Sequence, residues 1–215
     1  MAKRIYILFL LFLPVCGGCT SSAQRYFMYL FWPGGRTKTV EAAFPDLAGH
    51  SVAVVIYAGE NVEFEHPYAR LTLSKRIAAE LKQRVRKVNV IDPAIVLRYQ
   101  DENLNWDSMS KVELGKTFKA DYILMVSLLE YTTREPNSIS LSRGHIAAEA
   151  DVYQTSLPEE AARVRHFTGI SAVFPEGAPV GAVSTEAARM LDETERRFVD
   201  ALVKKFYKHD EEIKL

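Results

Sequence analysis

The sequence predicts an α/β protein built on a single mixed sheet, parallel at its start and antiparallel at its end, with flanking helices. Three observations carry this. A β-branched run, Ser51-Val-Ala-Val-Val-Ile-Tyr57, is followed by a helix-period segment and a second short strand, the pattern of a βαβ unit. Two extended segments, 143–154 and 163–174, come after the longest strand candidate, residues 120–131. A long amphipathic stretch over residues 185–208 supplies the last helix.

Each element has its own grounds. Ser51–Tyr57 is bounded by Gly49 and Gly59 and reads as a strand buried on both faces. Leu73, Ile77, Leu81 and Val85 then recur every four residues, with Ser74, Lys75, Arg76, Lys82 and Arg86 on other faces, so this stretch is helical. Val88-Asn-Val-Ile91 completes a right-handed crossover. Asp92-Pro93 looks like an N-cap followed by proline in the first turn of a helix running through Ile95, Val96 and Tyr99. After a polar loop, Ser110 and Glu113 fit a capping box, with Leu114 and Phe118 as the apolar face behind it. Ile123, Leu124, Met125, Val126, Leu128 and Leu129 place the next strand centrally. The segments around Pro158 form an antiparallel hairpin. In the final helix Leu191, Thr194, Phe198, Leu202 and Phe206 make one stripe, while Lys204, Lys205, Lys208 and His209 suit its carbonyl end.

Ahead of this domain lies an export signal. Lys3 and Arg4 precede an apolar core of 11 residues, 5–15, against the roughly 20 that a membrane span requires. Gly17-Gly18-Cys19 followed by Thr-Ser-Ser resembles the lipobox of bacterial lipoproteins, in which the cysteine is lipidated and becomes the first mature residue. Cys16 is the rival, but Val15 before it is bulkier than a cleavage site favours. Cys16 also stands where such motifs usually carry Leu, and a cleaved signal leaving a free Cys19 is the alternative. With cleavage before Cys19 the exported chain holds one thiol and no internal disulfide, a thiol that lipidation explains. The expected plan is a signal peptide over 1–18, anchor and tether over 19–50, and an α/β domain over 51–210.

The tether carries Pro33, Gly34, Gly35, Pro45 and Gly49 as structure breakers. Within it, residues 26–32 are uniformly large and apolar, including Tyr26, Phe27, Tyr29, Phe31 and Trp32. This run can lie in the headgroup region, fold onto the domain, or pair with a second copy. Losing Lys3 and Arg4 leaves 25 basic against 27 acidic residues, so no excess of positive charge points to nucleic acid.

Chemistry-bearing motifs are sparse. No GxSxG elbow, HExxH pair, P-loop, GxGxxG fingerprint or CxxC occurs. The nearest thing to a constellation is acidic: Glu60, Glu63, Glu65 and His66 in the loop after the first strand, with Asp92 after the second. Carboxyl ends of parallel strands gather ligands, so these groups could surround a hard cation or a basic partner, although a solvated acidic loop is the simpler reading. His145 and His166 lie on the hairpin strands, but a connection centred near residues 158 and 159 puts Asp151 opposite His166, which is a local pair and not a zinc site. Trp106, in a polar loop, is either a plug for a local core or an exposed binding anchor.

The succession SVAVVIY, amphipathic helix, VNVID, then Leu114-Gly115-Lys116 and Ala120-Asp121-Tyr122-Ile123-Leu124 before a hairpin is similar to the CsgG, LpoB and TolB amino-terminal group of bacterial envelope proteins. It departs from that group at Ser127-Leu128-Leu129-Glu130, where a Gly usually follows the third strand. The resemblance implies an outer-membrane-directed lipoprotein that binds, assembles or activates other envelope components and catalyses nothing. The function expected is therefore a periplasm-facing, membrane-anchored binding or assembly module, acting on an envelope protein or on a copy of itself, without cofactor or metal. The alternative is an envelope enzyme using the acidic groups after the first strand. A pore is not expected, since the chain offers no spare alternating strands of about 9 to 11 residues.

Overall fold

The computed structural model describes residues 37–135, 138, 141–181 and 184–212, with the backbone alone for 184–187. Cys19 and the aromatic run 26–32 lie outside the described residues. The chain divides into two units. In the smaller, β1 (Thr37–Val40) pairs with the strand His209–Glu212, and Thr39 Oγ1 donates to Asp210 Oδ1 at 2.7 Å.

The larger unit, Glu41–His209, contains β2 (Ser51–Tyr57), α1 (Glu60–Glu65), α2 (Ala69–Arg84), β3 (Asn89–Val90), α3 (Pro93–Glu102), α4 (Lys111–Phe118), β4 (Tyr122–Arg134), β5 (Leu141–Gln154), α5 (Glu159–Ala162), β6 (Arg163–Phe174), β7 (Val180–Gly181) and α6 (Ser184–Val203). The sheet order is β3-β2-β4-β5-β6, with β7 against the start of β5. β2 runs parallel to both β3 and β4, and β4-β5-β6 are antiparallel, the mixed sheet expected from the sequence.

Alternation along β2 and β4 sorts the core. Val52, Val54, Ile56, Leu124, Val126 and Leu128 belong to the cluster that includes Leu73, Ile77 and Leu81 of α2 and Phe198 and Leu202 of α6. Ala53, Val55, Ile123 and Met125 face the other way, toward Val96, Trp106, Leu114 and Phe118. Central strands are thus buried on both faces, as a continuous apolar run requires. At the amino ends of β2 and β4, Asp121 Oδ2 accepts from Ser51 N at 2.8 Å and Ser51 Oγ at 2.7 Å, while Asp121 N donates to Ser51 Oγ at 2.9 Å. These bonds fix the register and hold the Asp121 carboxyl below the usual carboxylate range.

Several elements depart from expectation. Residues 60–66, read as a loop, include the helix α1, which buries none of its residues. Phe44 and Leu47, placed in the tether, are buried in the main core, and Phe44 N donates to Lys205 O at 2.9 Å, so the packed unit starts at Glu41. The last helix stops at Val203 and tightens into a 3-10 turn over Lys204–Phe206 that still buries Phe206. His209 consequently begins a strand and does not cap that helix. The Ser110 hydroxyl accepts from Glu113 N at 3.3 Å as anticipated, and a carboxylate from outside the helix serves the same end: Glu159 accepts from Lys111 N at 3.2 Å and Val112 N at 3.4 Å. Among the described residues no helix is long and apolar enough to cross a membrane.

Two local features set the phase of the hairpin strands. Between Leu128 and Glu130 the β4-β5 register shifts, leaving Leu129 bulged and 64% exposed. In β6 the register shifts around Gly169, whose φ of +66° is readily adopted by glycine. Close packing adds a further constraint where α6 crosses β5. A Cβ at Gly144 would overlap Thr194 Oγ1 and come within 3.0 Å of Thr194 Cβ.

Candidate functional site

The carboxyl end of β2 is where the fold gathers its unusual side chains. β2 stops at Tyr57, opposite Ser127, while β4 continues to Arg134 because β5 still pairs with it. Up to Leu128, even-numbered residues of β4 face α2 and α6. The bulge at Leu129 inverts that phase, so Tyr131 now joins the same cluster, opposite Ile146. Its hydroxyl donates to Glu195 Oε1 on α6 at 2.6 Å. Glu195, with a side chain only 4% exposed, places Oε2 3.0 Å from Arg76 Nε on α2, and Arg76 reaches Asp192 through Nη2 as well.

Burial governs the electrostatics of this group. It pushes the Glu195 carboxyl above the usual range, with the Tyr131 hydroxyl and the Arg76 guanidinium opposing the shift. It also pushes the Tyr131 phenol strongly upward, helped by Glu195. His66 stands edge-on to the Tyr131 ring at 4.8 Å, and burial holds its imidazole below the ordinary value, hence neutral at pH 7. Together with Glu65, Tyr68, Thr72 and Leu191 these groups line an open pocket of about 470 Å3. Both Glu195 oxygens are occupied by partners and the Tyr131 proton is committed, so the cluster joins α2, β4 and α6 and presents no activated nucleophile.

The acidic candidates are only partly assembled. Glu65 and His66 line the pocket, whereas Glu60, Glu63 and Asp92 are not among its lining groups. Glu63 pairs with Arg70 at 2.8 Å, and Asp92 Oδ1 accepts from Ala94 N at 2.9 Å as the N-cap of α3. Among the described residues no group of three or more His, Cys, Asp or Glu side chains is arranged to hold a metal ion. On the hairpin, His166 Nδ1 meets Asp151 Oδ1 at 2.8 Å, the cross-strand pair expected, and His145 Nδ1 meets Glu130 Oε2 at 2.9 Å.

Trp106 is a plug: 8% exposed, it packs with Val96, Leu114 and Phe118 and lies 6.2 Å from the Tyr57 ring. Other large apolar side chains are exposed. Phe64 is 89% exposed, Leu104 87% and Tyr68 75%. None of these three stood out in the sequence, because each sits in a charged or polar stretch without apolar periodicity. Arg70 ties their segments together, with Nε 2.8 Å from Glu63 and Nη2 3.0 Å from Asp101.

No protein-family model and no curated protein sequence matches the chain. Among solved structures it is similar to a PelC dodecamer from Paraburkholderia phytofirmans, at 12% identity and TM-score 0.44, covering 80% of this chain and 99% of that one. It is also similar to lipoprotein GNA1162 from Neisseria meningitidis, at 17% identity and TM-score 0.40, covering 70% and 98%. An uncharacterised lipoprotein B from Nitrosomonas europaea gives 10% identity and TM-score 0.34, covering 76% and 84%. These values lie below the level at which residue roles transfer between chains.

Proposed function

We propose that the protein is an exported, lipid-anchored component of the bacterial cell envelope whose α/β unit is a non-catalytic binding or assembly module. The observation that carries the proposal is the amino-terminal order of basic residues, an apolar core of 11 residues and Gly17-Gly18-Cys19. Lipidation of the Cys19 thiol, with cleavage before Cys19, puts the acyl chains at the amino end of the mature chain, and two or more acyl chains anchor stably where one does so marginally. The destination is the outer membrane, with the domain facing the periplasm. Since Phe44 and Leu47 pack in the core, the stretch free to act as tether is shorter than the sequence implied. Tyr26, Phe27, Tyr29, Phe31 and Trp32 follow the anchor closely and supply a second contact with the headgroup region.

Support for a binding role comes from the domain. Its buried titratable cluster is internally satisfied, and Phe64, Tyr68 and Leu104 leave large apolar side chains exposed. The test is metabolic labelling with a fatty-acid precursor, comparing the wild-type chain with Cys19→Ala. Label in the wild type alone supports the anchor, and equal label in both, or none in either, removes it.

A further inference from the structure

We infer that β6 is an edge at which two copies of the chain join, residues 170–174 adding antiparallel to the same segment of a second copy so that one sheet runs through both. The inference rests on the assembly-module reading and names its surface and its partner. The sheet ends at β3 on one side and at β6 on the other. β3 is two residues long and offers little to pair with, whereas β6 has 12 residues. Among the described residues no further strand pairs with β6, and no backbone group of residues 164–174 bonds a turn or loop. Alternate residues of β6 therefore turn N–H and C=O groups away from β5 without a backbone partner.

The two halves of β6 are protected differently. Arg163, Arg165 and His166 put charge on the amino half, and the register shift around Gly169 interrupts the strand after them, both of which discourage pairing. Residues 167–174 hold no charge and no proline. Charged groups bordering this half already have partners. Arg197, 4.7 Å over the Phe174 ring, pairs with Glu193 and Glu176, Arg143 pairs with Glu135, and His145, opposite Val173, pairs with Glu130. Glu149, on β5 beside the bulge, is a strand away from the joint.

Self-complementarity selects the occupant. Antiparallel pairing centred on Ala172 sets Ile170 of each copy opposite Phe174 of the other, on the face that α6 covers, with Ala172 against Ala172 between them. Aromatic and β-branched side chains favour one another across strands. On the other face Ser171 of each copy meets Val173 of the other, small groups without charge. Arg163 and Arg165 fall outside the joint in this arrangement, whereas parallel in-register pairing would set each against itself. A lipid surface does not fit the edge, since hydrocarbon leaves its backbone N–H and C=O groups unsatisfied.

The test is sedimentation equilibrium of the full mature chain bearing Cys19→Ser over a range of concentrations, with hydrogen exchange of residues 170–174 followed in parallel. This chain forms dimers reversibly, and amides of the segment exchange more slowly as concentration rises. Adding Ser171→Lys and Val173→Lys sets lysine against lysine at both outer pairs and weakens dimerisation by about tenfold or more. Ser171→Glu with Val173→Glu does the same. Mixed in equal amounts, the lysine and glutamate variants associate again, because each lysine then faces a glutamate. Ser171 is exposed and Val173 lies outside the core clusters, so both variants unfold cooperatively. Recovery in the mixture is beyond a chain that has failed to fold.

A monomer at every concentration, a dimer that both charge variants retain, or no association in the mixture overturns the inference. So does slow exchange of residues 170–174 at every concentration, which would show the edge covered within one chain. A dimer kept by the charge variants but lost when Phe27, Tyr29 and Phe31 become serine would assign the contact to the aromatic run instead. Because sedimentation needs no lipid, its failure and failure of the Cys19 labelling are separate results.

Discussion

Removing the guanidinium of Arg76 exposes what the buried cluster contributes. In Arg76→Met the Glu195 carboxylate, 4% exposed, keeps only the Tyr131 hydroxyl as partner. Breaking a buried ion pair costs about 3 to 5 kcal/mol, and because the Arg76 side chain is itself 35% exposed we expect the lower figure, about 3 kcal/mol. The pair with Asp192, whose side chain is 62% exposed, adds little. The loss depends on pH with a definite sign. Burial raises the Glu195 pKa in the folded state, so the contribution of this group is fully present below its unfolded pKa and is lost as pH rises through the folded one. Arg76 opposes that shift, and its removal pushes the carboxyl higher still. The variant therefore loses more stability at pH 8 than at pH 5. His66, held below its ordinary pKa, titrates in both proteins and largely cancels from the difference. Urea denaturation at the two pH values measures this. Replacing the whole cluster, as Arg76→Met with Glu195→Leu and Tyr131→Phe, recovers most of the loss, since apolar packing replaces a buried pair at little cost. A loss below about 1 kcal/mol, equal losses at both pH values, or no recovery in the triple variant refutes the reasoning.

Three further outcomes follow from the fold. Gly144→Ala drives a methyl into Thr194 and lowers stability by about 1 to 3 kcal/mol, and adding Thr194→Ala restores part of it; an unchanged denaturation midpoint contradicts the close approach. Asp121→Asn loses the carboxylate that accepts two bonds from Ser51, so it is less stable at pH 7. Because the Asp121 pKa is depressed in the folded state, that stabilisation is present at neutral pH and lost in acid, and the gap to wild type narrows below about pH 4; a gap that widens in acid is the contrary result. Deleting Leu129 together with Glu130 sets Tyr131 opposite Ala147 and turns it away from Glu195, destabilising by about 3 kcal/mol or more, whereas Leu129→Ser, at an exposed site, stays within about 0.5 kcal/mol of wild type; similar midpoints for the two would dismiss the phase argument.

Much of the fold was legible because its signals are local and periodic. The apolar run of β2, the four-residue spacing of Leu73, Ile77 and Leu81, and the caps at Asp92 and Ser110 each fix an element within a few residues of sequence. The His166 pairing with Asp151 followed from hairpin register alone. What was hidden depends on distance or on broken periodicity. The bulge at Leu129 lies at the end of a stretch from Ile123 in which only Ser127 interrupts the apolar residues, so alternation could not reveal it. Phe44 and Leu47 enter the core from a proline-containing segment too short to show a period. Phe206 continues the apolar stripe of α6 although the backbone has already tightened, which concealed the end of the helix. Of the candidate site, Glu65 and His66 line a pocket whose other walls could not be read from sequence, since Glu195 and Tyr131 stand 64 residues apart and meet only through tertiary packing.

The central claim is that this domain is held at a membrane by Cys19. Mass spectrometry of the amino-terminal peptide of the mature chain, purified in detergent from its native membranes, tests it most directly. The account predicts a peptide that begins at Cys19 and carries the added mass of a diacylglyceryl group. A peptide beginning elsewhere, or beginning at Cys19 with an unmodified thiol, would contradict it.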